Sequence, residues 1–328
     1  MIWLTWRQHR VSVATAAALL GAVAMFLFIE GRTVHSVFQS SGLSACLAAH
    51  GSCSELARAF NNRFSGVQFV VPLLLVAPLF VGLFLGSPLV ARELEHGTHR
   101  LVWTQGITRR RWTLTKLGLL AAAALVLAAA FAAVATWFAT PFNNASSRLT
   151  PGVFDLQGVV PVAYTLFAVA LGAALGAVLR RTLPAMAATL AAFVGVRAAV
   201  ALLARSHFLP TRTTSYPTAA PGPTTNADWV VHSQIVDAHG TVVGNGHDLE
   251  LSPERLAAWC PSLPATRDQF PGRGALDACL NSIGLRTVDT YHPASQYWAL
   301  QGIEAALFLL GAAALAIVTV WWVRRRVV

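Results

Sequence analysis

An all-α membrane protein is the fold class this sequence predicts: a six-span transmembrane helix bundle with an extracytoplasmic α+β cap between spans five and six. Three observations predict it. Of 328 residues, 55% are hydrophobic and only 12% charged, with a mean hydropathy of +0.57, whereas a soluble domain carries about 25% charged residues. The apolar residues fall in six blocks, each near the roughly 20 residues that cross about 30 Å of hydrocarbon. The basic residues cluster in alternate connections between those blocks, where they orient spans.

Span one is placed at Val11–Ile29, behind Arg7 and Arg10. Its apolar run is longer than the roughly 7–15 residues of a signal core, and no small-residue cleavage site follows, so it reads as an uncleaved anchor. Spans two to five are placed at Val67–Val90, Leu117–Ala139, Val159–Leu179 and Pro184–Ala204, and span six at Ala299–Val323. Pro72, Pro78 and Pro88 would bend span two, which a bundle tolerates. The Gly82–Gly86 and Gly172–Gly176 pairs have the small-x-x-x-small spacing that suits close helix packing.

Orientation follows from the short connections. Arg7 and Arg10, the Arg92–Lys116 connection, Arg180 with Arg181, and Arg324, Arg325 and Arg326 all fall on one side. The positive-inside rule makes that side cytoplasmic and puts both termini there. The loops Glu30–Gly66, Thr140–Gly158 and Arg205–Trp298 lie on the other side. The last exceeds the roughly 60 residues over which the charge rule holds, so its arginines do not oppose the assignment. The chain then divides into 1–204, five spans with a cytoplasmic loop at 91–116; 205–298, an extracytoplasmic loop domain; and 299–328, the sixth span and a cytoplasmic tail. A multi-pass protein of the plasma membrane is the expectation.

Within 205–298, Pro210 to Thr225 reads as extended and irregular. A hairpin is expected over Trp229–Val236 and Thr241–Val243. Ser252-Pro253-Glu254 starts a helix running to about Trp259, with Ser as cap and an acid at the positive end of the dipole. Gly274–Ser282 is a second short helix.

All four cysteines fall in the predicted outer loops. An even count on an oxidising side suggests two disulfides, and sequence allows three pairings. The local pairing, Cys46–Cys53 with Cys260–Cys279, is expected because it closes short loops. A metal site at Cys46, His50 and Cys53 lacks a nearby fourth ligand.

The catalytic repertoire is thin. There is no G-x-x-x-x-G-K-[ST] phosphate loop, no H-E-x-x-H and no G-x-S-x-G. His96-Gly97-Thr98-His99 beside Glu93 and Glu95 matches no zinc-helix spacing. His232, Ser233, Asp237, His239, His247 and Asp248 lie on turns with nothing to fix their mutual geometry. The formal charge of +10 sits at span ends and does not point to nucleic acid. No metal or cofactor is therefore expected.

The densest signal is the connection Ala91-Arg92-Glu93-Leu94-Glu95-His96-Gly97-Thr98, followed by Trp103-Thr104-Gln105 and Arg109-Arg110-Arg111-Trp112. It resembles the permease subunit of type-two ABC exporters, especially the actinobacterial group, in which span two runs into R-E-x-E-x-G-T, then W-T-Q and a basic-aromatic entry to span three. Trp3-Leu4-Thr5-Trp6-Arg7-Gln8 fits that group's entry helix, and Tyr291 to Trp298 with Gln301, Glu304 and Trp321 to Arg326 fits its last span. The long outer loop matches no pattern. The resemblance implies a subunit that forms a substrate pathway and itself makes no bonds. It also implies a separate ATP-binding cassette ATPase, a second permease copy (identical or not), and membrane lipid as partners. On the same ground Arg92, Glu93, Glu95, Gly97 and Thr98 would be the element that couples to the ATPase. A solvated loop would explain the arginines but not Glu93, Glu95, Trp103 and Trp112.

Two charges fall inside predicted spans, Arg197 in span five and Glu304 in span six, at similar depth. Such charges face the bundle interior or a partner, which suggests an ion pair lining or gating a cavity; snorkelling of Arg197 to the outer interface is the plainer reading. The competing functional class is a non-transporting sensor or enzyme that acts through its extracytoplasmic domain. A neighbouring reading frame for an ATPase with a phosphate loop would separate the two.

Overall fold

The computed structural model of the chain describes residues 2–49, 53–68, 74–98, 103, 106–218, 220, 222–225, 227–246, 253–263 and 272–326. It divides into two compact units, Met1–Arg205 with Trp298–Val328, and Ser206–Tyr297.

Among the described residues of the first unit, six helices are long and apolar enough to cross a membrane. In chain order the unit holds α1 (Ile2–Ser40), α2 (Leu43–Ala48), α3 (Ser54–Arg63), α4 (Ala77–Glu95), α5 (Arg109–Ala145), α6 (Val160–Leu179) and α7 (Thr182–His207). The spans are longer than the hydropathy suggests. The segment expected as a loop from Glu30 is helical as far as Ser40, because a few polar side chains end an apolar run without ending a helix. The break comes at Gly42, held at φ 78, a conformation open to glycine. At 39 residues α1 is about 58 Å long, well over the hydrocarbon thickness. The start of predicted span two falls partly outside the described residues. Helix α5 begins at a Thr108 cap, whose Oγ1 accepts from Arg111 N at 3.3 Å.

Helix α6 is the centre of the unit: 72% of its most apolar stretch is buried, against 11% for α1 and α7. It lies against α4 with backbones nearly touching. Helix α4 carries a π-turn at Gly82–Gly86, and the two glycine pairs meet there. A Cβ on Gly172 would stand 2.7 Å from Ser87 N and 2.8 Å from Gly82 O; one on Gly176 would stand 2.6 Å from Ser87 O. Only hydrogen fits, as small-residue crossings require. Ser87 Oγ and Thr189 Oγ1, both buried, meet at 3.2 Å and tie α4 to α7. One apolar cluster gathers Val13, Leu85, Leu89, Trp112, Leu120 and Val169; another gathers Leu27, Leu43, Phe60, Phe64, Phe131 and Phe138. In the second cluster Cys46 and Cys53 form a disulfide that joins α2 to the start of α3, Cα atoms 5.9 Å apart.

Among its described residues the second unit holds a four-stranded antiparallel sheet with two short helices. Its elements are β1 (Arg212–Pro217), β2 (Trp229–Val236), β3 (Val242–Asn245), α8 (Pro253–Trp259), α9 (Arg273–Ser282) and β4 (Arg286–His292), in the strand order β1-β4-β2-β3. The hairpin and both helices stand close to their expected places; Ser252, the expected cap, lies outside the described residues. Strands β1 and β4 are additions: Arg212–Pro217 lies within the Pro/Thr-rich stretch read as irregular, and β4 pairs with it over Arg212↔Tyr291 to Pro217↔Arg286. Proline at the end of an edge strand loses no ladder bond on its paired side. Ile235, Leu280 and Leu285 form the small core, and a Cys260–Cys279 disulfide, Cα atoms 6.0 Å apart, joins α8 to α9. The chain re-enters the first unit through α10 (Tyr297–Arg325).

Candidate functional site

Among its described residues the first unit holds two buried charge clusters. The larger is built where α7, α10, the start of α6 and a 3-10 turn at Phe154–Leu156 converge. Arg205 follows a π-turn at Val200–Ala204, an element often found where a helix re-aims a functional side chain. Its side chain is fully enclosed, as is that of Glu304. Nε donates to Glu304 Oε2 and Nη2 to Glu304 Oε1, each at 2.8 Å, a forked charge-assisted contact. Nη2 also pairs with Asp155 Oδ1. The Tyr164 hydroxyl lies between the two acids, with Asp155 Oδ1 at 3.1 Å and Glu304 Oε1 on its other side. Arg197 Nη2 reaches Asp155 Oδ2 at 3.4 Å, Arg197 Nη1 donates to Leu75 O at 2.6 Å, and its guanidinium stands 4.9 Å above the Tyr164 ring.

Two arginines thus face two carboxylates, and the formal charge closes to zero inside an apolar bundle, the condition under which buried charge is tolerated. Gln301, one turn before Glu304, extends the network. Its Oε1 accepts from Val159 N and Val160 N, both at 3.1 Å, and its Nε2 donates to Phe154 O at 3.0 Å. Those amides are the unpaired donors that open a helix, so α10 caps α6.

The expected Arg197–Glu304 pair is corrected here. Both residues are in the cluster, but Glu304 pairs with Arg205 and Arg197 pairs with Asp155. The reason is geometric: the π-turn brings Arg205 inward, and the 3-10 turn folds Asp155 back into the bundle. Hydropathy excluded both, since Arg205 ends an apolar run and Asp155 lies in a connection. The signal available was that Asp155 is the lone acid between spans three and four.

The second cluster lies at the arginine-rich end. Lys116 is buried and pairs with Glu93, and its ammonium stands 4.7 Å from the Trp112 ring centre. Trp103 meets Trp112 edge-on at 5.9 Å, with the Arg109 guanidinium 4.3 Å above Trp103. Of the residues expected to couple to a partner, Glu93 therefore points into the bundle. Glu95 is exposed, and its Oε2 accepts from Thr182 N at 3.0 Å and Thr182 Oγ1 at 2.8 Å, so it holds the first turn of α7. Arg92 and Thr98 are exposed, and Gly97 ends the helix at φ 70. His99 to Val102, Thr104 and Gln105 lie outside the described residues.

Of the histidine and acid set in the second unit, Ser233 donates to the buried Asp289 and Asp237 accepts from the His239 and Thr241 amides of its own turn; His247 and Asp248 lie outside the described residues. A small cavity lined by Leu20, Pro78, Val81, Phe131, Pro161 and Thr165 among others holds about 10 Å³, room for one water at most.

The model of a family described as ABC-2 membrane transporter related matches residues 17–205. That is more than half of the chain and takes in both π-turns, Glu93, Lys116, Asp155, Tyr164, Arg197 and Arg205. No curated protein and no solved structure matches. With six candidate spans in place, the match makes this a multi-pass membrane transporter permease, a transport subunit rather than an enzyme. The chain belongs to the ABC-2 membrane transporter related family.

Proposed function

We propose that this chain is the membrane half of an ATP-driven exporter in the plasma membrane. Both its termini are cytoplasmic and its sheet-containing unit lies outside. A separate ATP-binding cassette subunit hydrolyses ATP, and a second permease copy, identical or related, completes the pathway. The family match carries this reading. The R-E-x-E-x-G-T and W-T-Q stretches support the actinobacterial branch.

Arg92–Thr98 is the docking element in this reading, with a division of labour the side chains suggest. Glu93 and Glu95 tie the end of α4 to α5 and α7, so a push on the exposed Arg92, His96 and Thr98 reaches three helices. A partner drives the cycle only if its two states contact this end differently. The test is Arg92→Glu, with exposed Arg63→Glu as control, in protein co-expressed with the ATPase of the neighbouring reading frame. Arg92→Glu is expected to lose ATPase co-purification at unchanged expression, and the control to retain it. Equal co-purification by both variants would remove Arg92 from the docking surface.

A further inference from the structure

The Arg205 cluster has a position in the chain that its charges alone do not explain. The chain leaves the first unit after Arg205 and returns to it at Trp298. Arg205 is thus the last residue out, and Glu304 stands within two turns of the way back in. Their fork closes the neck from which ninety-odd residues are looped out. Gln301, Glu304, Ala305 and Phe308 form the buried face of α10 there, and Phe308 stands 4.6 Å from Tyr164. Every polar contact of that face goes to a different element: Arg205 on α7, Tyr164 and the Val159 and Val160 amides on α6, Phe154 beside Asp155.

We propose that Arg205, Glu304 and Asp155 form a reversible latch. Closed, it holds the Arg205 end of α7 against the start of α10 and the first turn of α6. Open, it frees the two crossings that lead into and out of the Ser206–Tyr297 segment. The choice of charges is the physical argument. An ion pair in an apolar bundle bears a desolvation cost, and apolar residues of the same volume often seal such a site as well or better. What charge adds is a cheaper open state, because parted ions recover hydration while parted apolar groups do not. The π-turn supplies the movable part: it ends immediately before Arg205, and a shift of its extra residue re-aims the guanidinium. The latch is independent of which subunit drives the cycle, so it stands or falls separately from ATPase coupling.

Two variants pull the latch in opposite directions, and labelling reads its opening apart from the stability that Tm reports. The reporter is Ala305→Cys, a buried site beside Glu304; the four native cysteines are paired. Thiol modification is followed in intact protein in lipid nanodiscs, with thermal unfolding measured alongside. Glu304→Gln removes the charge and leaves Arg205 half-answered, so labelling should speed up by roughly tenfold or more. Arg205→Met with Glu304→Met leaves Asp155 with Arg197 and seals the neck with apolar groups. Its labelling should fall below that of the parent while its Tm stays equal or rises. Should Glu304→Gln fold poorly, Arg205→Lys gives the same direction of change, since an ammonium lacks the fork. Equal labelling rates across these proteins, or faster labelling in the double Met variant, would overturn the latch.

Discussion

Lys116 shows how one residue's meaning changes once its neighbours are known. In the sequence it stands out only as the single lysine among arginines. In the structure it is buried against Glu93 at the arginine-rich end. Removing one partner strands the other charge, so Glu93→Leu should lower stability by about 3–5 kcal/mol, while Glu93→Leu with Lys116→Met should recover most of it. Thermal unfolding in detergent measures both, and equal losses would show that the pair carries no coupling. Tyr216 offers a second test outside the spans. Burial, and then the hydrogen bond to the Asp289 carboxylate at 2.8 Å, push its hydroxyl up from the ordinary 10.0 to about 12. Its proton is therefore held more tightly folded than unfolded. The stability it adds is full below pH of about 10 and is lost as pH rises through about 12. Tyrosinate absorbance should show a late-titrating contribution that Tyr216→Phe removes.

At the scale of elements, the hydrophobic blocks located all six spans, because the need to satisfy backbone groups in hydrocarbon leaves a helix little alternative. The ends of those helices were not legible in the same way. Hydropathy reports where lipid stops, whereas a helix stops at a conformational break such as Gly42 or Gly97. Strands β1 and β4 were missed for another reason: Arg212–Pro217 and Arg286–His292 alternate weakly and become a sheet only by pairing across more than sixty residues. The glycine pairs were readable as packing signals, though not which helix each would meet. Gly172→Ala puts a methyl into the Ser87 and Gly82 backbone and should cost about 1–3 kcal/mol. Gly302→Ala, with open space around its Cβ, should be near neutral. The same loss at both sites would mean that the α4–α6 contact is looser than described.

For the whole molecule, the candidate site was legible in part: Arg197, Glu304 and the Arg92–Thr98 end were singled out, whereas Arg205 and Asp155 were not. Charge inside an apolar run is conspicuous, but charge at the edge of one becomes buried only when turns fold it inward. Sidedness is the remaining large-scale property, and it rests on the arginines. Arg7, Arg10, Arg92, Arg109 to Arg111, Arg180, Arg181 and Arg324 to Arg326 lie at alternate ends of the spans. The positive-inside rule would place all of them on the cytoplasmic side. An inverted bundle would have to carry this whole set across the membrane. The prediction is that a cysteine at His96 is modified by a membrane-impermeant reagent only after cells are opened, while cysteines at Asn144 and His239 react in intact cells. All three positions are exposed, so accessibility within the fold is not what separates them. Modification at 96 from outside intact cells would invert the bundle, place the sheet-containing unit in the cytoplasm, and take the Arg92–Thr98 element out of reach of any ATPase.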